Sequence, residues 1–441
     1  MILKQIVERT LPNGLKVICL KKTGAPVVSV QLWYKTGSFC ESDGIRGISH
    51  ILEHMMFRGS SKFGPEEHSN RINDVGGHCN AFTTEDVTVF MDSVPRDYLE
   101  MVLEMEADRM QGLLLDKQVF ETERKVIIEE YHTYMNNPVA KSMLEFRHEF
   151  FSNHPYATGP LGKIEDLKSL TVDDCRDYYR KWYSPDNAVL VLVGDFEQDS
   201  VFETVEKHFS DKKASGISTG NKDEIPVTQS SAPPWMKRQV DFDVPLIIIG
   251  YPAPSSSHED AVALEILQLV ISGGESSRLH REVVRKESVA VMAGGINHLL
   301  KRAGMSMFFA AFTPDIKPAN VERSLQKQIH RIKTDGITTE EMEKVRNSTL
   351  TSRTFELYSA ENICQRIGFS ECIEGDYRLW VERMELLKNL NTERLVEVAR
   401  KYWDDSRKRV LYLQPRRTNP LLYIGGIFRR LFRKHPGREE D

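Results

Sequence analysis

Hydrophobic and polar positions recur in the same order at two places 220 residues apart. Leu170 to Tyr183 parallels Leu390 to Trp403, and both stretches read as helices. Each leads into an apolar run, Val189 to Val193 in one case and Val410 to Leu413 in the other, and those runs read as strands. The chain is therefore an internal repeat, two α+β halves of about 200 residues each. Between them Lys212 to Trp235 is rich in Ser, Lys, Gly, Thr and Pro and poor in apolar residues, as an exposed linker is. The expected division is a first half at 1–211, a linker at 212–235, a second half at 236–418 and a tail at 419–441. In the tail Ile427, Phe428, Leu431 and Phe432 follow helical spacing among basic residues. Three readings stay open: an amphipathic helix on anionic lipid, a docking segment for a partner, or a plain tail.

Composition narrows the function classes. The net charge of −5 gives nucleic acid no electrostatic footing, and 28% charged with 40% hydrophobic residues describes an ordinary soluble chain. Cys19, Cys40, Cys79, Cys175, Cys364 and Cys372 are scattered without a C-x-x-C pair, which points to free thiols rather than a disulfide framework. Neither a signal-peptide core nor a spanning apolar run is present in the sequence, so a cytoplasmic location is expected.

Against that background one polar pattern stands out. His50, Glu53 and His54 form H-x-x-E-H within Gly47 to Phe57. On a helix, residues four apart share a face, so both imidazoles can grip one cation while Glu53 reaches a water beside it. Such pairs also arise by chance, and a catalytic zinc wants a third protein ligand with a fourth position open. Phe120 to His132 reads as an amphipathic helix on which Glu123 and Glu130, seven apart, share a face. One could ligate and the other support it; a solvated acidic stripe is the plain alternative.

These features resemble the pitrilysin/insulinase metallopeptidases, in which H-x-x-E-H is followed by a carboxylate about 75 residues on. Here 75 residues separate His54 from Glu130. The likeness runs through Thr10 to Val17, Gly76 to Thr83, Gly159 to Gly162, Tyr183 to Asp195 and Gly273 to Leu279. It implies His50, His54 and Glu130 as zinc ligands and Glu53 as the general base that takes the proton of the attacking water. Glu123 becomes the supporting carboxylate. Glu129 is a rival third ligand, but it lies about 100° around the helix from Glu130. The strand carrying Asn80, Ala81 and Phe82 is implied to hold an extended peptide through its main chain. The implied fold is two homologous α/β sandwiches, antiparallel-rich sheets backed by helices, closing like a clam. The implied reaction is endopeptidic hydrolysis of a peptide bond.

The second half departs from the family. Ala263 to Ser272 is the counterpart of the motif helix, and Leu264, Leu267 and Gln268 stand where His50, Glu53 and His54 stand in the first half. Many relatives also carry an Arg and a Tyr seven apart that reach substrate; the matching positions here are Val284 and Val291. Neither valine can donate a hydrogen bond to a developing oxyanion. The resemblance then implies the zinc-bearing subunit of a heterodimer whose similar partner carries the Arg/Tyr pair, with a homodimer as the alternative. Some relatives are non-catalytic core subunits; the intact set of five site positions argues for the peptidase.

Overall fold

A computed structural model describes residues 5–152, 154–216, 233–417, 421, 422 and 424. Most of the expected linker and nearly all of the expected tail lie outside the described residues.

The strands are β1 (Ile6–Thr10), β2 (Lys16–Lys21), β3 (Val27–Tyr34), β4 (His78–Thr83), β5 (Thr88–Pro95), β6 (Ala188–Gly194), β7 (Trp235–Val240), β8 (Leu246–Ala253), β9 (Met292–Leu299), β10 (Gly304–Ala311) and β11 (Arg409–Pro415). The helices of the first part are α1 (Ile48–Met55), α2 (Glu67–Asp74), α3 (Leu99–Gly112), α4 (Lys117–Asn136), α5 (Pro138–Phe150), α6 (Ile164–Ser169), α7 (Val172–Trp182) and α8 (Gln198–Phe209). Those of the second are α9 (Ala261–Ser272), α10 (Pro318–Asp335), α11 (Thr339–Glu356), α12 (Ala360–Phe369), α13 (Leu379–Asn389) and α14 (Thr392–Tyr402).

The α+β expectation holds, and the repeat is written in the strand pairing. The first sheet runs β1-β2-β6-β3-β5-β4 and the second β7-β11-β8-β10-β9. In each, one parallel pair (β2 with β6, β7 with β11) is followed by antiparallel neighbours out to an edge strand, β4 in the first and β9 in the second. The repeated helices share their start: Thr171 caps α7 by accepting from the Asp174 amide, and Asn391 caps α14 by accepting from the Arg394 amide.

Two compact units form, and two helical segments are exchanged relative to a cut at the linker. Residues 134–154, with α5, join the second sheet; residues 351–384, with α12, join the first. In the first unit the central strand β6 is buried at every position. Leu190 and Leu192 face a core built with α1, α3 and α7, while Val189, Val191 and Val193 face Ile363, Cys364 and Ile367 of α12. Such two-sided burial explains a strand that reads as a continuous apolar run. No helix among the described residues is long and apolar enough to cross a membrane.

Candidate metal centre

Helix α1 buries Ile48, Ser49, Ile51, Leu52 and Met55 and leaves His50, Glu53 and His54 partly buried on its remaining face. Its entry is fixed tightly. Gly47 takes a left-handed conformation (φ 103°), and a Cβ there would come 2.7 Å from Leu167. The first-turn amides are met by Glu41, whose carboxylate accepts from Gly47 N (2.8 Å) and Ser49 N (3.0 Å). Burial holds the Glu41 carboxyl up at about 7, against the pull of those hydrogen bonds.

Helix α4 brings the carboxylates. Glu130 Oε2 lies 3.7 Å from His50 Nε2 and 3.8 Å from His54 Nε2. These separations are too long for hydrogen bonds, and the three donor atoms lie within 4.8 Å of one another. Ligands at about 2.0–2.2 Å around a tetrahedral zinc stand roughly 3.3–3.6 Å apart, so a small closing shift is all the set requires. The two rings are nearly perpendicular (89°) with centroids 4.9 Å apart. Burial, and then the neighbouring His54, lower the His50 pKa to about 4, so at neutral pH His50 is uncharged and can offer a lone pair. Its Nδ1 is buried without a hydrogen-bond partner. The donor set therefore fits a zinc ion.

Glu123 is buried and sits on the other side of His54, 3.4 Å from its Nδ1. A proton held at Nδ1 leaves Nε2 free toward Glu130. Arg58 pairs with Glu123 (2.9 Å) and also with Glu66, so the supporting carboxylate is itself held. Glu129 is exposed and lies outside the cluster. Glu53 accepts a hydrogen bond from Thr83 Oγ1 (2.5 Å). Burial raises its pKa, and the Thr83 bond partly opposes that rise.

Thr83 ends β4, the edge strand of the first sheet. Cys79 and Ala81 turn toward the core beneath α1, whereas Phe82 packs on the α12 side, edge-on to Trp33. By alternation Asn80 and His78 share the face of Phe82. The Ala81 amide donates to the side-chain oxygen of Asn80 (2.9 Å).

Glu41 and Arg58 escape the sequence reading as parts of the site, and Thr83 enters it only within the edge strand, not as the partner of Glu53. Arg58 lies four residues after His54, a spacing that could have flagged it. Glu41 reaches α1 from a loop, with no periodic signal. A second buried group of His68, Asp92 and Glu106 also went unseen; Arg109 pairs with Glu106 there and supplies the cation. In the second unit Leu264 and Leu267 are fully buried, Gln268 is buried, Val284 lies in the core and Val291 is exposed.

Comparison with known proteins finds peptidases of one family. The model described as insulinase (peptidase family M16) matches residues 16–162, and the peptidase M16 inactive-domain model matches residues 169–349. The chain is 28% identical over 418 residues to zinc protease PqqE of Helicobacter pylori, covering 92% of each. It is 27% identical over 403 residues to the uncharacterized zinc protease YmxG of Bacillus subtilis, covering 91% of this chain and 96% of that one. A solved protease structure from Helicobacter pylori has a TM-score of 0.85 at 27% identity, covering 93% of this chain and 99% of the other.

Proposed function

The chain belongs to the insulinase family of peptidases, M16, and from that premise we propose that it is a zinc-dependent endopeptidase acting through the first half. The observation that carries this reading is the convergence of His50, His54 and Glu130 on one point, with Glu53 beside them. Zinc, when bound there, supplies the Lewis acidity that makes water a nucleophile near neutral pH and polarises the scissile carbonyl. Glu53 accepts the proton of the attacking water and passes it to the leaving amine; a raised pKa suits a group that must both take and give. Thr83 orients Glu53, and Glu123 holds His54 through Nδ1. The peptide lies extended along β4 beside Asn80, Ala81 and Phe82, with main-chain bonds carrying affinity.

The chain works as one of a pair, as the zinc-bearing subunit beside a similar-fold partner that supplies the Arg/Tyr pair, or as a homodimer. Val284 and Val291 at the Arg and Tyr places support this. So does the fold of the periplasmic protease PqqL from Escherichia coli: this chain covers 52% of that solved chain, at a TM-score of 0.78. Cys19, Cys79, Cys175 and Cys364, which form no disulfide among the described residues, support a reducing, cytoplasmic setting.

The experiment is digestion of a mixed peptide library by the zinc-loaded chain, alone and with candidate partner subunits, beside Glu53→Gln. Cleavage that disappears in Glu53→Gln is the expected result. Equal cleavage by both proteins would remove Glu53 from the mechanism.

A further inference from the structure

A groove of about 320 Å³ opens in the first unit at the end of β4 farthest from Glu53. Its walls include Val94, Pro95 and Ala360, which are apolar, and His78, Tyr358 and Glu361 beside three serines. His78 begins β4 and Thr83 ends it beside Glu53, so the groove lies about 17 Å along the strand from the general base. A peptide extended on that edge would pass its side chains alternately over the α1 face and the α12 face. Those on the α12 face would follow Phe82, Asn80 and then His78 into the groove.

We propose that this groove is a distal specificity subsite, taking an Arg or Lys side chain of the bound peptide about five residues from the scissile bond. The proposal rests on the peptidase reading above. Glu361 stands in the first turn of α12, its backbone oxygen accepting from Gln31 Nε2 at 3.3 Å. Its Oε2 meets His78 Nε2 at 3.0 Å, and Oε1 has no partner among the described residues. A guanidinium or ammonium group can join that free oxygen. The apolar walls suit the methylene stem that precedes such a head. Tyr358 of the wall and Phe355, whose ring centroid lies 6.1 Å from it, are the two most exposed aromatic side chains among the described residues, at 73% and 67%. Exposed ring faces next to a carboxylate are what a cation gains from. Arg96, next in the chain to Pro95, is turned to Asp195 at 2.7 Å and does not compete for Glu361. An acidic residue brought to the same place would face Glu361 and be rejected. The Ser359 hydroxyl already accepts the Asn362 amide at the start of α12, which leaves that helix end less open to an anion.

The test uses the full zinc-loaded chain and alanine-rich 14-residue peptides in which a single Arg, Gln or Glu is moved along the sequence. Binding is read by fluorescence anisotropy on Glu53→Gln, so that turnover is not required, and cleavage is read on the wild type. The expected result is one register in which Arg binds about fivefold tighter than Gln, the scale of a partly exposed charge pair. In Glu53→Gln/Glu361→Gln that preference disappears while the Gln peptide binds as before, and in Glu53→Gln/Glu361→Lys it turns toward Glu. Wild-type cleavage without any Glu361-dependent preference overturns the subsite and leaves the peptidase reading standing. A Glu361-dependent preference without cleavage by wild type, alone or paired, supports the subsite and overturns the peptidase reading. Failure of every peptide to bind overturns the subsite, and failure of the wild type to cleave any of them, alone or paired, overturns the peptidase reading.

Discussion

Helices α1 and α9 occupy equivalent places in two sheets of the same topology, each packed beside the edge strand of its sheet. In α1 three polar side chains are only partly buried and aim at α4 and β4. In α9 the same places are Leu264, Leu267 and Gln268, all buried. The first helix carries what chemistry demands: a histidine nitrogen without a partner and two titratable groups moved from their ordinary pKa values by burial. The second gives those positions to apolar packing, apart from Gln268, which bonds Ser272 through Nε2 and leaves Oε1 unpaired. One fold therefore serves two ends, and the difference lies in a few side chains rather than in the backbone.

Exchanging the roles of Glu53 and Leu267 breaks the comparison most sharply. Glu53→Gln should lower peptide turnover by about 10²–10⁴-fold while the unfolding midpoint stays at the wild-type value. Leu267→Gln should do the reverse, leaving zinc affinity intact but costing about 3 kcal/mol in urea unfolding, because a polar group enters a packed core. A stability loss in the first variant or a loss of zinc affinity in the second would erase the distinction.

The supporting carboxylate comes next. Glu123→Ala should weaken zinc binding about 10–100-fold, since His54 loses the group that orients its ring. Gln268→Leu, at the α9 place that corresponds to His54, should leave zinc affinity unchanged and shift stability by no more than about 1 kcal/mol. Competition with a chromogenic chelator reads the first, and denaturant titration the second.

A further effect concerns how α1 is held. Glu41 has a folded pKa of about 7, above its ordinary 4.5. The folded protein thus binds that proton more tightly than the unfolded chain does. Stability contributed by Glu41 should fall as pH rises from about 4.5 to about 7, by on the order of 1–3 kcal/mol, and level off above. Glu41→Gln should flatten that slope in urea midpoints measured across the window. Parallel slopes in the two proteins would assign the titration to another group.

Much of the site was legible because its members sit at helical spacings. His50, Glu53 and His54 lie within one helix, and Glu123 and Glu130 lie two turns apart on another. The repeat was legible because the 220-residue shift preserves two helix-to-strand junctions. What stayed hidden is non-local. Glu41 approaches α1 from a loop, and His78 meets Glu361 across 283 positions of chain. The exchange of α5 and α12 was equally invisible, because an apolar helix face announces burial without naming the sheet it will bury against.

Zinc stoichiometry tests the central claim most directly. Elemental analysis of dialysed wild type, Glu53→Gln and a His50→Ala/His54→Ala double variant should give one zinc ion per chain in the first two and none in the third. A second zinc in the wild type, or one retained by the double variant, would contradict a single metal centre confined to the first half.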